Sequence, residues 1–332
     1  MSWPVGEELM SKFAIALIAA LTLLSGILAA EAQQKVRLGY ATQIHNANIM
    51  QLADYAKKNG VDLEASVLSH YTNLQIALMT NQMDFVVMGY SNIGLMEDMG
   101  FKNYKVLSGV FTGAQSLTLR PGVTVNSWKD LEGKKIGSAP NSYADILFKT
   151  SARLGGADLS KINMVNFTPG PAVSAALGAG DIDGFVFWEP FNSSAEVKKI
   201  GTYSKLDLGD NPTKHINAAL YVNAEYAERN KATVAAVVKS LVESTDTLNA
   251  DRTKFTAAAE AGTRASREEI EIAIPHGKLD NKLYLNEAKA LLRLINEAGI
   301  TKSYHPEAVD RSFDYSFLME ATKKSRHDLG GE

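Results

Sequence analysis

Two short segments carry side chains that could bind a small molecule, and each comes directly after a predicted strand. Gly89-Tyr90-Ser91-Asn92 follows the apolar run Phe85-Val86-Val87-Met88, and Trp188-Glu189-Pro190-Phe191 follows Phe185-Val186-Phe187. Hydroxyl, amide, carboxylate and indole groups suit hydrogen bonding to a ligand and stacking on it. In open α/β sheets, ligands bind outside the carboxyl ends of the strands. These two segments are therefore the first candidates for a binding site.

The elements that must position these segments form an internal repeat. Ala77-Leu78-x4-Met83-Asp84-x-x-Val87 recurs 99 residues later as Ala176-Leu177-x4-Ile182-Asp183-x-x-Val186. Each copy predicts the end of a helix, a polar turn, an aspartate and a buried strand. Short apolar strands that follow helices are typical of parallel sheets covered on both faces. Because the roughly 300 residues that follow the N-terminal segment exceed one typical core, we expect an α/β protein with one copy of the repeat in each of two lobes.

The N-terminal segment has the features of a secretory signal. An apolar run from Phe13 to Ala30 follows a lysine and ends in Ala30-Glu31-Ala32, a small-x-small cleavage pattern. We expect export to the periplasm with cleavage after Ala32. The run approaches the length that spans a bilayer, so an uncleaved membrane anchor is an open alternative. Translation from Met10 instead of Met1 is another.

The composition excludes several kinds of site. The chain contains no cysteine, which excludes disulfides, thiol catalysis, cysteine metal sites and lipid attachment through cysteine. The formal net charge is −3 and no long basic stretch occurs, so nucleic-acid binding is not expected. The six histidines show no i, i+4 pair and no other metal-ligand spacing. We therefore expect neither a metal nor a cofactor.

The remaining patterns assign segments to the two lobes. A crossover from the first lobe to the second is predicted at Arg120-Pro121-Gly122, after a strand at residues 116–119. A strand at residues 216–222 is predicted to return to the first lobe, and helical patterns dominate from about Thr233 onward. After a signal peptide at residues 1–32, lobe 1 is expected to comprise residues 33–120 and 216–332, and lobe 2 residues 121–215. The C-terminal helices should pack on lobe 1 and contribute less to specificity.

The ordered motifs resemble a known family. A strand ending in Gly39-Tyr40, the repeated phrase, Leu131-x-Gly133-Lys134-Lys135-Ile136, a capped helix after Gly137-Ser138, and Trp188-Glu189-Pro190-Phe191 are similar to those of ABC-importer substrate-binding proteins. The group concerned binds nitrate, sulfonates, taurine or thiamine-pyrimidine precursors. The resemblance covers roughly residues 35–225. It implies a type II periplasmic-binding-protein-like fold, with two Rossmann-like α/β lobes joined by crossing strands and closing over a small molecule.

In such a fold, residues at strand ends and helix starts supply the ligand contacts. The positions expected to do so are Tyr40, His45, Tyr71, Thr72, Ser91 and Asn92 in the first lobe, Asn141, Ser142, Trp188 and Glu189 in the second, and Ser116 near the hinge. Helix N-termini just after Ser91 and Asn141 would offer N–H groups to an anionic head group.

Several of these positions have a structural alternative. Trp188 could belong to the core of the second lobe, and Glu189 could be a solvated carboxylate or a charge that faces the permease. His45 and Tyr71 could be loop residues that are merely exposed. Ser91 and Asn92 could serve as the N-cap of the next helix, which would not exclude contact with a ligand.

The expected ligand positions contain no arginine or lysine. A fully anionic ligand would then depend on helix N-termini, hydroxyls and His45, whereas Glu189 favours a ligand with an amine or another hydrogen-bond donor. This makes nitrate doubtful and leaves amino-sulfonates such as taurine open. A heteroaromatic ligand stacked on Trp188 or Tyr40, for example a thiamine-pyrimidine precursor or a flavin, is the competing prediction.

Enzymatic motifs are weak in this sequence. Gly89-x-Ser91-x-x-Gly94 follows a strand, but the second glycine falls one residue late for a nucleophile elbow and no motif places a histidine as base. Gly178-x-Gly180 precedes its strand, so it is not a dinucleotide fingerprint.

The sequence thus favours a monomeric binding protein without enzymatic activity. Its expected partners are a small sulfonate-like or other organic anion, and the permease and ATPase of an ABC importer. Two other classes stay open. One is an exported lyase or deaminase acting through Glu189 and His45, and the other is a ligand sensor for a membrane receptor.

Overall fold

The computed structural model describes residues 35–332 except residues 69, 168 and 169. The expected signal peptide, its cleavage after Ala32 and the choice between Met1 and Met10 all lie outside the described residues. Within the described part of the chain, no helix is both long and apolar enough to cross a bilayer.

The first of two mixed sheets has six strands. Its strands are β1 (Val36–Tyr40), β2 (Leu63–Val67), β3 (Phe85–Gly89), β4 (Tyr104–Gly113), β10 (Ile216–Asn223) and β11 (Gly277–Leu279). Their order across the sheet is β11-β4-β10-β3-β1-β2, with β2, β1 and β3 parallel and β10 antiparallel to both of its neighbours. β3 is fully buried along its length, as expected for a central strand covered on both faces.

The second sheet has five strands. They are β5 (Gln115–Leu119), β6 (Lys135–Ser138), β7 (Asn163–Asn166), β8 (Gly184–Trp188) and β9 (Thr202–Tyr203), in the order β7-β6-β8-β5-β9. β7, β6 and β8 are parallel, and β5 is antiparallel to β8. The α/β class with two mixed sheets agrees with the class predicted from the sequence.

Helices connect the strands and cover the sheets. The α-helices are α1 (Ala47–Met50), α2 (Leu52–Lys58), α3 (Tyr71–Met79), α4 (Asn92–Asp98), α5 (Tyr143–Leu154), α6 (Gly170–Ala179), α7 (Phe191–Val197), α8 (Ala224–Arg229), α9 (Lys231–Ala250), α10 (Arg252–Gly262), α11 (Arg267–Ala273), α12 (Leu285–Glu297), α13 (Pro306–Ser312) and α14 (Ser316–Thr322). Short 3-10 helices lie at Ile44–Asn46, Trp128–Leu131, Leu159–Lys161, Ile274–His276 and His327–Leu329. Buried side chains of α9 and α12 share one hydrophobic core with β1, β3 and β10, so these C-terminal helices pack on the first sheet.

The aspartates of the sequence repeat have the same structural role in both sheets. Asp84 precedes β3, and its carboxylate accepts the backbone N–H of Arg37 on β1 at 2.9 Å. Asp183 precedes β8, and its carboxylate accepts the backbone N–H of Lys135 on β6 at 2.9 Å. Each aspartate therefore ties the start of one parallel strand to the start of its neighbour.

A single residue, Ala114, separates β4 of the first sheet from β5 of the second. Ala114 adopts φ +66°. The crossover predicted at Arg120-Pro121-Gly122 is wrong, because β5 pairs with β8 in the second sheet. A short alternating strand carries no local signal of which sheet it joins, since that depends on a partner about 70 residues away in the chain. The return strand β10 lies in the first sheet, as predicted.

Candidate functional site

The strand pairings bring the carboxyl ends of both parallel sets to the same place. In the first sheet, Gly89 at the end of β3 lies opposite Ala218 of β10, which in turn lies opposite Phe111 near the end of β4. In the second sheet, Trp188 at the end of β8 lies opposite Gln115, the first residue of β5. Both edges therefore meet beside Ala114. This is the position that a ligand cleft between two α/β sheets should occupy.

Three polar side chains converge at the edge of the first sheet. The ring of Tyr71, the first residue of α3, lies against Gly89, where an added Cβ would be 3.4 Å from the ring and 3.3 Å from Ser91 Oγ. Gln43, three residues after β1, donates from Nε2 to Tyr71 Oη at 3.4 Å. The other amide atom of Gln43, Oε1, is buried and has no hydrogen-bond partner among the described residues. An unpaired buried acceptor at this edge is a candidate ligand contact.

Other predicted positions of the first half lie differently. Thr72 is exposed on the first turn of α3. Tyr40 is buried, and burial raises the pKa of its hydroxyl group. Asn92 is buried, and its amide donates to Gln75 Oε1 at 2.8 Å, so this side chain holds α4 against α3.

His45 is buried in the part of the protein built around the first sheet. Its ring lies 6.0 Å from the rings of Phe111 and Phe255. Burial lowers the pKa of His45 to about 4, and the nearby carbonyl of Ile274 offsets only part of this effect. The imidazole is therefore neutral at pH 7 and packs as part of the interior.

In the second half, the start of α5 is organised by one aspartate. Asp145 accepts the backbone N–H of Asn141 at 3.0 Å and the hydroxyl of Ser138 at 2.8 Å, and Lys149 pairs with it at 2.8 Å. Ser142 caps the helix by accepting the backbone N–H of Asp145 at 3.2 Å. The groups that were expected to bind an anion at this helix start are thus partly used by the protein itself. The Asn141 side chain is exposed beside them.

Trp188 and Ser116 are both half-buried at the edge of the second sheet. The Trp188 ring stacks on Phe187 with centroids 4.8 Å apart and meets Phe191 edge-on at 5.9 Å. Ser116 lies on β5 opposite Phe187, two residues after Ala114.

Glu189 is only 1% exposed and makes its contacts within the protein. One carboxylate oxygen accepts the hydroxyl of Tyr203 at 2.7 Å, and the other accepts the backbone N–H of Ser193 at 3.1 Å. Burial raises the pKa of Glu189 to about 7, although these hydrogen bonds oppose the shift. In this structure the carboxylate stabilises the start of α7 and is not presented to a ligand.

A cavity of about 630 Å³ opens beside the two sheet edges. It is bordered by residues that follow β1 and β8, by α6, by α7 and the residue after it, and by the connection between α10 and α11 with the start of α11. The lining residues are Thr42, Pro171, Ser174, Pro190, Phe191, Ser194, Lys198, Ala261, Gly262, Thr263, Arg264, Ala265 and Glu269. Thr42 lies two residues after Tyr40, and Pro190 follows Glu189 directly. The volume is suitable for a small organic molecule.

Three charged side chains line this cavity. Lys198 and Arg264 are exposed, and neither forms an ion pair at contact distance with the described carboxylates. Burial alone would raise the pKa of Glu269, but hydrogen bonds from Ser194 and Ser266 and the charge of Lys198 outweigh it, so this pKa lies below its ordinary value. The cavity therefore offers two cations and one carboxylate that is already hydrogen-bonded.

Sequence patterns did not reveal these charged residues. Lys198 lies on the helix after the second repeated strand, seven residues beyond Phe191 and so on the same helix face. The seven-residue spacing from Phe191 could therefore have identified Lys198 from the sequence. Arg264 lies in a helical region that was expected to contribute little to specificity, and only the packing of the α10–α11 connection places it at the cavity. No group of histidine, aspartate and glutamate residues suited to a metal ion is found among the described residues.

Comparison with solved structures identifies the fold. A ligand-binding component of an ABC-type import system from Staphylococcus aureus, solved with zinc bound, matches with a TM-score of 0.73 at 17% identity, covering 88% of this chain and 100% of that one. The periplasmic aliphatic sulphonate binding protein SsuA from Escherichia coli matches with a TM-score of 0.72 at 17% identity, covering 84% and 91%. The periplasmic nitrate-binding protein NrtA from Synechocystis matches with a TM-score of 0.73 at 12% identity, covering 88% and 89%. The protein thus has the type II periplasmic-binding-protein fold, as predicted.

Sequence comparison gives the family. No curated protein matches the chain. The model of the NMT1-like family matches residues 29–262, which is well over half of the sequence. With the fold and the cleft geometry in agreement, the chain belongs to the NMT1-like family.

Proposed function

We propose that this protein is the substrate-binding component of an ABC importer. It captures a small organic ligand in the cleft between its two sheets and delivers it to a membrane permease, whose ATPase drives uptake. The protein acts as an exported monomer in the periplasm, after removal of the signal peptide at Ala32. Residues 36–113 and 216–332 form one lobe, and residues 115–215 form the other.

The observation that carries this proposal is the cavity shared by the two halves. Thr42 and Arg264 belong to the lobe formed by residues 36–113 and 216–332. Pro190, Phe191 and Lys198 belong to the lobe formed by residues 115–215. A ligand in this cavity contacts both halves at once, so its binding energy favours the arrangement in which they approach each other. A protein that delivers its ligand to a permease needs this coupling between binding and closure.

The charges and hydrogen-bonding groups indicate the class of ligand. Lys198 and Arg264 favour an anionic group such as a sulfonate, because both line the cavity and neither forms an ion pair at contact distance with a carboxylate of the described residues. Gln43 follows Thr42 of the cavity lining, and its Oε1, an acceptor without a partner among the described residues, favours a ligand that also carries a hydrogen-bond donor. An amino-sulfonate such as taurine satisfies both features. Nitrate satisfies only the first.

A heteroaromatic ligand is the second candidate, and a specific contact favours it. Phe191 lines the cavity and meets the half-buried Trp188 edge-on at 5.9 Å. An aromatic wall of this kind can stack on a thiamine-pyrimidine precursor or a flavin.

We propose that the protein has no catalytic activity of its own. The enzymatic alternative required Glu189 and His45 to act together on a bound substrate. Both side chains are 1% exposed, and they lie in different halves of the molecule. A ligand sensor would have the same cleft as an importer component, so the two differ in the membrane protein that recognises the closed form.

The test is calorimetric titration of the protein beginning at Gln33, together with a thermal-shift screen. The probes are taurine, ethanesulfonate, nitrate, an aminopyrimidine and a flavin. A ligand at 100 times its Kd stabilises the folded state by about 2.7 kcal/mol, which is visible as a rise in Tm. We expect Arg264→Gln and Lys198→Gln each to weaken sulfonate binding about tenfold or more, since each removes a charge-assisted contact.

Arg229→Gln is the matched control, because Arg229 is exposed, forms a 3.7 Å surface pair with Glu225 and does not line the cavity. It should bind as the unaltered protein does. Binding that persists undiminished in Arg264→Gln and Lys198→Gln would show that the cavity is not the site. Chemical conversion of the recovered ligand would establish an enzyme, and pull-down of a membrane receptor without a permease would favour the sensor.

A further inference from the structure

One side-chain contact joins the two halves of the protein beside their crossover. Tyr203 lies on β9 of the second sheet, and His276 immediately precedes β11 of the first. Their rings stack with centroids 3.7 Å apart and an interplanar angle of 6°. Both side chains are half-buried. This is a face-to-face contact between rings that no local sequence relationship brings together.

Backbone hydrogen bonds hold both partners in place relative to Ala114. The N–H of Ala114 donates to the carbonyl of His276 at 2.7 Å, and the carbonyl of Ala114 accepts the N–H of Glu189 at 3.1 Å. The Glu189 carboxylate in turn accepts the Tyr203 hydroxyl at 2.7 Å. The crossover residue is thus bonded on one side to the segment that carries His276 and on the other to the residue that orients Tyr203.

The two ends of this arrangement are firmly supported. Glu189 is buried, and its second oxygen accepts the N–H of Ser193 at the start of α7. Behind His276, the next residue is packed so closely that a Cβ added to Gly277 would lie 2.6 Å from the His45 ring. The stack between Tyr203 and His276 is different, because it is a contact between two side-chain rings and not a backbone hydrogen bond.

We infer that the Tyr203–His276 stack is a built-in latch that holds the two halves together before ligand binds and thereby sets the fraction of closed molecules. This inference rests on the proposed function, since a latch matters only if the halves move. A contact that stabilises the closed arrangement without ligand reduces the part of the binding energy that closure consumes. The stack therefore tunes apparent affinity without touching the ligand.

The test measures opening in the absence of ligand. Because the chain has no cysteine, spin labels can be attached at Lys57→Cys on α2 and Asp181→Cys before β8, both exposed and in different halves. Distances between the labels are measured by double electron–electron resonance. His276→Ala and Tyr203→Leu should each lower the ratio of closed to open molecules by about two- to tenfold, the effect of losing one aromatic pair.

Two conservative variants control for damage to the fold. His276→Phe keeps a ring for stacking and should show the distance distribution of the unaltered protein. Tyr203→Phe keeps the ring but removes the hydroxyl group that donates to Glu189. It therefore distinguishes the effect of the stack from the effect of the hydrogen bond. Thermal unfolding establishes that each variant is folded.

The inference is overturned if His276→Ala and Tyr203→Leu give the same distribution as the unaltered protein, or if His276→Phe opens as far as His276→Ala. The double variant provides a further check, since two residues that act through one contact should not add their effects. Failure of the proposed function is seen separately, as the absence of any binding in the calorimetric titrations, because the distance measurement needs no ligand.

Discussion

Asp84 and Asp183 make the same connection in the two sheets, each accepting at 2.9 Å one backbone N–H near the start of the neighbouring parallel strand. They differ in the further hydrogen bonds that their carboxylates accept from arginine side chains. Asp84 also accepts Arg37 Nε at 3.1 Å and a terminal nitrogen of the same guanidinium at 2.7 Å, whereas Asp183 receives one contact of 3.3 Å from Arg120. The repeated aspartate thus maintains strand register in both halves.

This difference predicts unequal losses of stability. Asp84→Ala should lower the free energy of unfolding by about 2 kcal/mol, because it removes a nearly buried acceptor and leaves Arg37 and its backbone N–H without their partner. Asp183→Ala should cost about 1 kcal/mol, since its ion pair is weaker and more exposed. Denaturant unfolding measures both. Asp181→Ala, an exposed neighbour, is the control, and equal losses for Asp84→Ala and Asp183→Ala would contradict the prediction.

Glu189 predicts a loss of stability as pH rises. Its pKa is raised by burial from 4.5 in the unfolded chain to about 7 in the folded protein. Between these values the folded state binds more protons, so the stability contributed by Glu189 is complete below about pH 4.5 and is lost as pH rises through 7. We therefore expect the Tm of Glu189→Gln minus the Tm of the unaltered protein to be several degrees higher at pH 8 than at pH 5. Calorimetry measures both values. An equal difference in Tm at the two pH values would argue against a raised pKa.

His45 predicts the opposite dependence at acid pH. Its pKa falls from 6.5 to about 4 on folding because the ring is buried. The unfolded chain binds more protons in this range, so the stability contributed by neutral His45 is complete above about pH 6.5 and is lost as pH falls through 4. Urea unfolding at pH 7 and pH 4.5 should show a smaller acid loss for His45→Leu than for the unaltered protein. An acid loss in His45→Leu as large as that of the unaltered protein would contradict the prediction.

Two glycines predict opposite effects of the same substitution. An added Cβ at Gly109 on β4 would lie 2.4 Å from the carbonyl oxygen of Lys282, a backbone atom that cannot move aside cheaply. Gly109→Ala should therefore destabilise the protein by about 2 kcal/mol or more. At Gly178, inside α6, the nearest atom is a carbon of Ile200 at 3.6 Å.

Gly178→Ala should accordingly stabilise the protein by about 0.5–1 kcal/mol, because alanine loses less entropy than glycine in a helix. Tm measurements on both variants test the pair together. A destabilised Gly178→Ala would show that the space beside Ile200 is smaller than the distances indicate.

Much of the architecture could be predicted from local patterns. The repeat predicted β3 and β8 and the helices before them, because an apolar strand after a polar turn carries a strong local signal. The return strand, predicted at residues 216–222, is β10 at Ile216–Asn223. β5 was assigned to the wrong side of the crossover, since its five residues read the same in either sheet.

The sequence predicted the strand ends beside which the cavity lies, but it did not predict the residues that line the cavity. Tyr71 and Ser91 lie at the edge of the first sheet and Trp188 at the edge of the second, but none of the three lines the cavity. Lys198 and Arg264 reach the cavity only because segments distant in the chain pack around it. Glu189 was expected to face a ligand, whereas in the structure Tyr203 and Ser193 take up both of its oxygens.

The sequence by itself determined the class of fold, the internal repeat and the strand ends where a site could form, because these depend on periodicity and turn chemistry within short windows. Only the tertiary structure decided which sheet β5 joins, which polar groups are already paired, and that Tyr203 stacks on His276. Those features arise from contacts between residues far apart in the chain. Their energies depend on burial and geometry, which no short segment contains.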